Sequence, residues 1–141
     1  MKKIITILMI MLLLTGCGSS DPKKEVQTAL KNDISLTWLT SNVKNDTTGN
    51  WRVSECLTSK QPQEYAKQYY DAYFESDDEV HAVINFTLNT TNRFTVQSDG
   101  LYVDTFDYVQ GEEHDANSLF TGSLLHSYQL NKETGDVISE W

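Results

Sequence analysis

Two short segments gather the side chains able to do acid–base or metal chemistry. "DDEVHAVINF" (77–86) sets His81 among Asp77, Asp78 and Glu79, and "GEEHDA" (111–116) sets His114 among Glu112, Glu113 and Asp115. Imidazole beside carboxylate is a ligand set for zinc and other divalent ions. If the two segments meet in space, His81, His114, Glu113 and Asp115 form a site for a divalent metal, the one cofactor the sequence suggests. Their spacing matches neither HExxH nor an EF-hand loop. Ordinary structural hydrogen bonds for both histidines are the plainer expectation. Glu113 with His114 could serve as an acid–base pair, and Cys56 with either histidine as the start of a small hydrolase. No GxSxG and no glycine-rich phosphate loop accompanies them. The expectation is therefore a non-enzymatic protein.

A third group is aromatic. In "PQEYAKQYYDAYF" (62–74), Tyr65, Tyr69 and Tyr73 recur every four residues and share one helical stripe. An exposed stripe would be a binding surface, stacking on sugars of a cell wall. A stripe half-buried in the core, its hydroxyls reaching solvent, is the commoner arrangement.

The chain has two cysteines, and the first closes an apolar run. Met1-Lys2-Lys3 is basic, and residues 4–14 are apolar except for Thr6. That run is too short for a membrane span, which needs roughly 20 residues, but it fits the apolar part of a signal peptide. Leu14-Thr15-Gly16-Cys17 resembles the lipobox of bacterial lipoproteins. The resemblance implies cleavage before Cys17 and a diacylglycerol on its sulfur, often with a second acyl chain on the freed amine. Each buried methylene contributes ~0.8 kcal/mol, so one chain holds marginally and two hold stably. The expected division is a signal peptide over 1–16, a lipidated cysteine and flexible tether over 17–24, and a single α+β extracellular domain over 25–141. With Cys17 lipidated, Cys56 has no disulfide partner and reads as a small buried hydrophobe.

Beyond residue 16 the chain carries nine basic and twenty acidic side chains, net −11, unevenly placed. Residues 17–70 are close to neutral, whereas residues 71–115 hold eleven acids against Arg93 alone. Such a surface repels phosphate backbones and excludes nucleic acid as a partner. It admits a cationic partner or divalent ions, or is simply a solvated, repulsive face. A tether over 18–24 reaches about 25 Å at full extension, so the domain would work close to the membrane. Lys23 and Lys24 would each gain about 1 kcal/mol beside an anionic leaflet.

Several elements must position these groups. Asp21-Pro22 is a helix start, and Val26, Leu30 and Ile34 continue on one face. From Ile34 the rhythm becomes alternating through Leu36 and Trp38, leaving residues 34–40 open between helix and strand. Asn45–Asn50 is a loop, Trp51–Thr58 a strand, and Pro62 begins a second helix. Runs over 79–90, 92–97, 101–109 and 124–131 are rich in β-branched and aromatic residues, and "KETGD" turns into Val137-Ile138. The predicted fold is α+β: an antiparallel meander of three to five strands with one or two helices packed on one face. The stretches "NDTTGNWR", "EYAKQYYDAYF", "DDEVHAVINF", "GEEHDA" and "LLHSYQLNKETGDVI" together resemble small lipoprotein-like proteins of Gram-positive bacteria, over most of residues 45–138. That resemblance implies an extracellular α+β domain and carries over no activity and no site residues. The functional expectation is a lipoprotein held at the extracytoplasmic face of the cell membrane through Cys17, acting as a protein- or peptide-binding or accessory module. Its partner would be an envelope protein or peptide.

Overall fold

Asp21 and Pro22 open the first helix, α1 (Pro22–Asp33), as their types dictate. The Asp21 carboxylate accepts the Lys23 N–H at 3.0 Å, and Pro22 occupies the first turn, where an amide hydrogen has no helical partner. Ile34 ends it in extended backbone, its N–H still bonded to the Leu30 carbonyl. The structure, a computed structural model, describes residues 21–39, 43–45 and 50–141. The segments expected as signal peptide, lipidated Cys17 and first part of the tether lie outside the described residues, as do the central residues of the 45–50 loop.

The alternation after Ile34 resolves as a strand, β1 (Ser35–Trp38). It is followed by β2 (Trp51–Leu57), helix α2 (Pro62–Tyr73), β3 (Val80–Asn85), β4 (Thr90–Gln97), β5 (Gly100–Asp107), β6 (Leu124–Leu130) and β7 (Val137–Glu140). Among the described residues the fold is α+β, with seven strands rather than the three to five expected. The strands lie in chain order, and every neighbouring pair is antiparallel except β2 and β3. That pair is parallel because α2 connects them, returning the chain to the end where β2 began. The difference in count arises at the margins. β1 and β7 are four-residue edge strands, the first left open between helix and strand by its sequence and the second visible only as Val137-Ile138 after a turn.

Period two along each strand divides the sheet into two unlike faces. One is covered by the helices: Cys56, Val83, Phe94 and Val103 meet Leu30, Tyr65 and Tyr69 in the larger core. On the other, Val53, Ala82 and Ile84 are covered by Leu119 and Phe120 of the β5–β6 connection. Burying a leucine such as Leu119 contributes about 1.5–3 kcal/mol. The same connection includes a 3-10 turn (Glu112–His114) and is stitched to the sheet by Glu112, whose buried Oε1 accepts the Thr91 hydroxyl of β4.

The helices run antiparallel, so the start of α1 meets the end of α2. Lys23 Nζ donates to the Phe74 carbonyl at 3.1 Å and pairs with Glu75 at 3.2 Å. The point where the N-terminal segment joins the domain thus lies at the end of the sheet that holds Trp38, Trp51 and Val80.

Candidate functional site

The two histidines stand on opposite sides of the sheet. His81, on β3, faces the helices and is fully buried; His114 belongs to the connection over the other face and is 61% exposed in its side chain. A strand residue's face is set by its parity, and His81 shares that of Val83, a core residue under α2. Glu113 lies 3.2 Å from His114 and accepts the Tyr108 hydroxyl at 2.8 Å. Asp115 accepts the Asn117 N–H and the Asn45 amide, which hold its carboxyl below the usual range. The structure therefore groups Glu113, His114 and Asp115 in one turn and leaves His81 apart from them. Among the described residues, no three His, Cys, Asp or Glu side chains stand together as a metal site.

His81 is instead the middle of a buried chain. Its Nδ1 lies 2.8 Å from the Tyr69 hydroxyl and its Nε2 2.9 Å from Glu79 Oε2. One neutral tautomer satisfies both, with Nε2–H donating to the carboxylate and Nδ1 accepting from tyrosine. Burial pushes the imidazole down to about 4, against the opposing pull of Glu79. Burial alone would raise Glu79. The hydrogen bond from His81 and those from the Glu75 and Ser76 amides, at 2.9 and 3.0 Å, outweigh it and hold the carboxyl below its usual range. Glu79 thereby hooks the acidic turn 75–79 into the core.

Of the tyrosine stripe, Tyr65 and Tyr69 are buried to the hydroxyl and find partners inside, Cys56 for the first and His81 for the second. Only Tyr73 reaches solvent. Burial pushes the Cys56 thiol up to about 11, so it stays protonated and a poor nucleophile at neutral pH.

Two concavities open at the end of the sheet where α1 begins, one on each face. The larger, about 450 Å³, lies outside the helices and is lined by Trp51, Asp77, Asp78, Arg93 and Thr95. Its wall is braced by contacts: Trp51 stacks on Phe120 at 5.6 Å, and Arg93 lies over Phe106 and Phe120 while bonded to Asp104. Asp77 accepts from the Tyr70 hydroxyl at 2.7 Å and from Lys132 at 3.1 Å, and these two partners keep its carboxyl low. Asp78 stands exposed beside it. On the helix side, a pocket of about 280 Å³ is lined by Gln27, Trp38, Arg52, Tyr73 and Glu75. Arg52 Nε lies 3.8 Å from Glu79, so the buried chain backs this pocket too.

Sequence reasoning reached Asp77, Asp78 and Tyr73 but passed over Trp38, Trp51, Arg52, Gln27 and Arg93. The omitted residues come from α1, β1, β2 and β4, and only the pairing of those elements brings them together. The alternation that puts Arg52 and Trp38 on the helix side was legible; that α1 and α2 would leave a gap above them was not. Compared with known protein families, curated proteins and solved structures, the chain matches none.

Proposed function

We propose that the chain is a lipoprotein anchored through Cys17 at the extracytoplasmic face of a bacterial cell membrane. Its folded domain acts as a non-enzymatic module that binds a protein or peptide partner. The observation that carries this reading is the cleft bounded by Trp51, Asp77, Asp78 and Arg93. It offers an aromatic wall packed on Phe120, a rim of carboxylates in which Asp77 is held by Tyr70 and Lys132, and a place in the most acidic part of the sequence. Rigid aromatic surface with a few placed polar groups is the usual make-up of a binding site. A partner segment presenting a basic residue fits it, since a cation gains from both the indole face and the carboxylates.

The anchor supports the same reading. The five residues Cys17–Asp21 reach at most about 18 Å, which keeps the cleft end of the domain beside the membrane and its partner within the envelope. A photo-crosslinking residue at Thr95, in the full-length chain expressed in its own envelope, tests the binding. The expected result is one discrete adduct, absent when the crosslinker sits at Gln68 on the outer side of α2 and lost with Trp51→Ala. Equal labelling from both positions would overturn it. The anchor is tested separately by Cys17→Ser, which should abolish lipid labelling and leave an unprocessed precursor or released protein.

A further inference from the structure

We infer that the pocket between α1, β1 and the end of α2 binds an uncharged saccharide ring. This site is distinct from the cleft of the proposed function and does not depend on it. Trp38 and Tyr73 meet edge to face, at 5.2 Å and 75°, and Trp38 remains 40% exposed at the pocket. The exposed part of the indole is a platform for the apolar C–H face of a pyranose, as it is for any flat, weakly polar surface. Around the platform stand donors and acceptors in mixture. The Gln27 amide nitrogen donates to the Ala72 carbonyl at 3.0 Å, which leaves its oxygen to accept. Arg52 supplies N–H groups and Glu75 a carboxylate.

Charge balance selects the ligand class. Arg52 lies beside Glu79, and Glu75 is paired with Lys23, so neither charge is left uncompensated. A free anion or cation gains little there, whereas a polyhydroxylated neutral ring uses both donors and acceptors. The volume, about 280 Å³, is just below the usual range for drug-sized ligands and suits one ring with its substituents.

The pocket is also held ready. Arg52 Nη1 donates to the Trp51 carbonyl at 3.0 Å, and its Nε faces a Glu79 fixed by His81 and two backbone amides. Trp38 is braced by Tyr73 and lies 6.1 Å from the His81 ring. Side chains already ordered before binding lose little freedom on binding, which matters most for a small ligand. The buried Tyr69–His81–Glu79 chain thereby acquires a role as the support that positions Arg52.

The test is a titration of the full-length chain, in a detergent without a sugar headgroup, monitored at the indole N–H resonances of Trp38, Trp51 and Trp141. The probes are methyl β-glucoside, an N-acetylglucosamine trimer, glucuronate and N-acetylphenylalanine amide. A saturable shift of the Trp38 resonance with a neutral saccharide, leaving Trp51 and Trp141 in place, is the expected result. Followed by calorimetry of the same titration, Trp38→Ala should abolish the binding, and Gln27→Ala, on a helix surface where folding is preserved, should weaken it several-fold. Arg52→Lys should weaken it by roughly tenfold, since lysine keeps the charge but not the planar fork of donors. No saturable shift with either neutral saccharide overturns the proposal. So does tighter binding of glucuronate, which would make the site anionic in preference. Tighter binding of the phenylalanine amide would assign the pocket to a peptide side chain.

Discussion

Glu79 and His81, two residues apart on one side of the chain, are both buried and bonded to each other at 2.9 Å, with Tyr69 closing the far side of the ring. The acidic turn ahead of β3 and the stripe of α2 are therefore locked together through one neutral imidazole.

Stability should fall in mild acid because of that imidazole. His81 titrates at about 4 in the folded chain against 6.5 when unfolded, so between those values the unfolded state binds more protons. The contribution is fully present above pH 6.5 and is lost as pH falls toward 4, amounting to about 3 kcal/mol over the window. Glu79, held low when folded, extends the loss below its unfolded value of 4.5. Urea midpoints at pH 7, 5.5 and 4.5 measure it. His81→Gln, which cannot titrate, should flatten the slope between 6.5 and 4.5; an unchanged slope would place the effect elsewhere.

Tyr69→Phe should destabilise by about 1–3 kcal/mol, because His81 Nδ1 is left buried without a donor. The phenyl ring keeps its stacking on Phe94, so the loss reports the hydroxyl rather than the packing. Thermal unfolding at pH 7 gives the value, and a difference near zero would mean water takes the hydroxyl's place.

Glu112 works in the opposite sense. Burial pushes its carboxyl above the usual range, with the Thr91 hydroxyl opposing. As pH rises through the folded value, a buried charge appears and stability is lost, a loss absent at pH below 4.5. Glu112→Gln keeps the shape and removes the charge, so the variant should melt a few degrees higher at neutral pH. The gain should vanish in acid, and a gain equal at both pH values would argue against the carboxylate as its source.

Divalent cations should leave the melting midpoint of the chelated protein unchanged, since the sheet separates His81 from the turn holding Glu113, His114 and Asp115. A ligand at 100 times its dissociation constant contributes ~2.7 kcal/mol, well above the error of a thermal melt. A rise specific to one cation and abolished by His114→Ala would show that the exposed turn binds metal without His81.

Both helices could be read from their first residues, Asp21-Pro22 and Pro62, because capping and proline chemistry act within a few residues. The alternation that puts Arg52, Ser54 and Cys56 on one face of β2 was equally local. What could not be read was which strands become neighbours. Trp51 faces Val80 through a parallel pairing across an intervening helix, and nothing in either strand announces it. The carboxylates around His81 were visible as a cluster in sequence, yet its decisive partner, Tyr69, lies on a different element. The stripe of tyrosines was visible too, but whether its hydroxyls meet water or protein depends on how closely α2 lies on the sheet.

That single parallel pairing also bears on how the chain folds. From β3 to β7 every strand pairs with the next in sequence, over short loops except for the long β5–β6 connection (108–123). The register of β2 against β3 must wait for residues 58–79 to be bridged, and β1 joins the sheet only through β2. Closure over longer loops is slower, because chain entropy must be lost before contacts form. The β3–β4–β5 hairpins can thus close before the register of β2 is set, because their loops are short and the crossing from β2 to β3 is not.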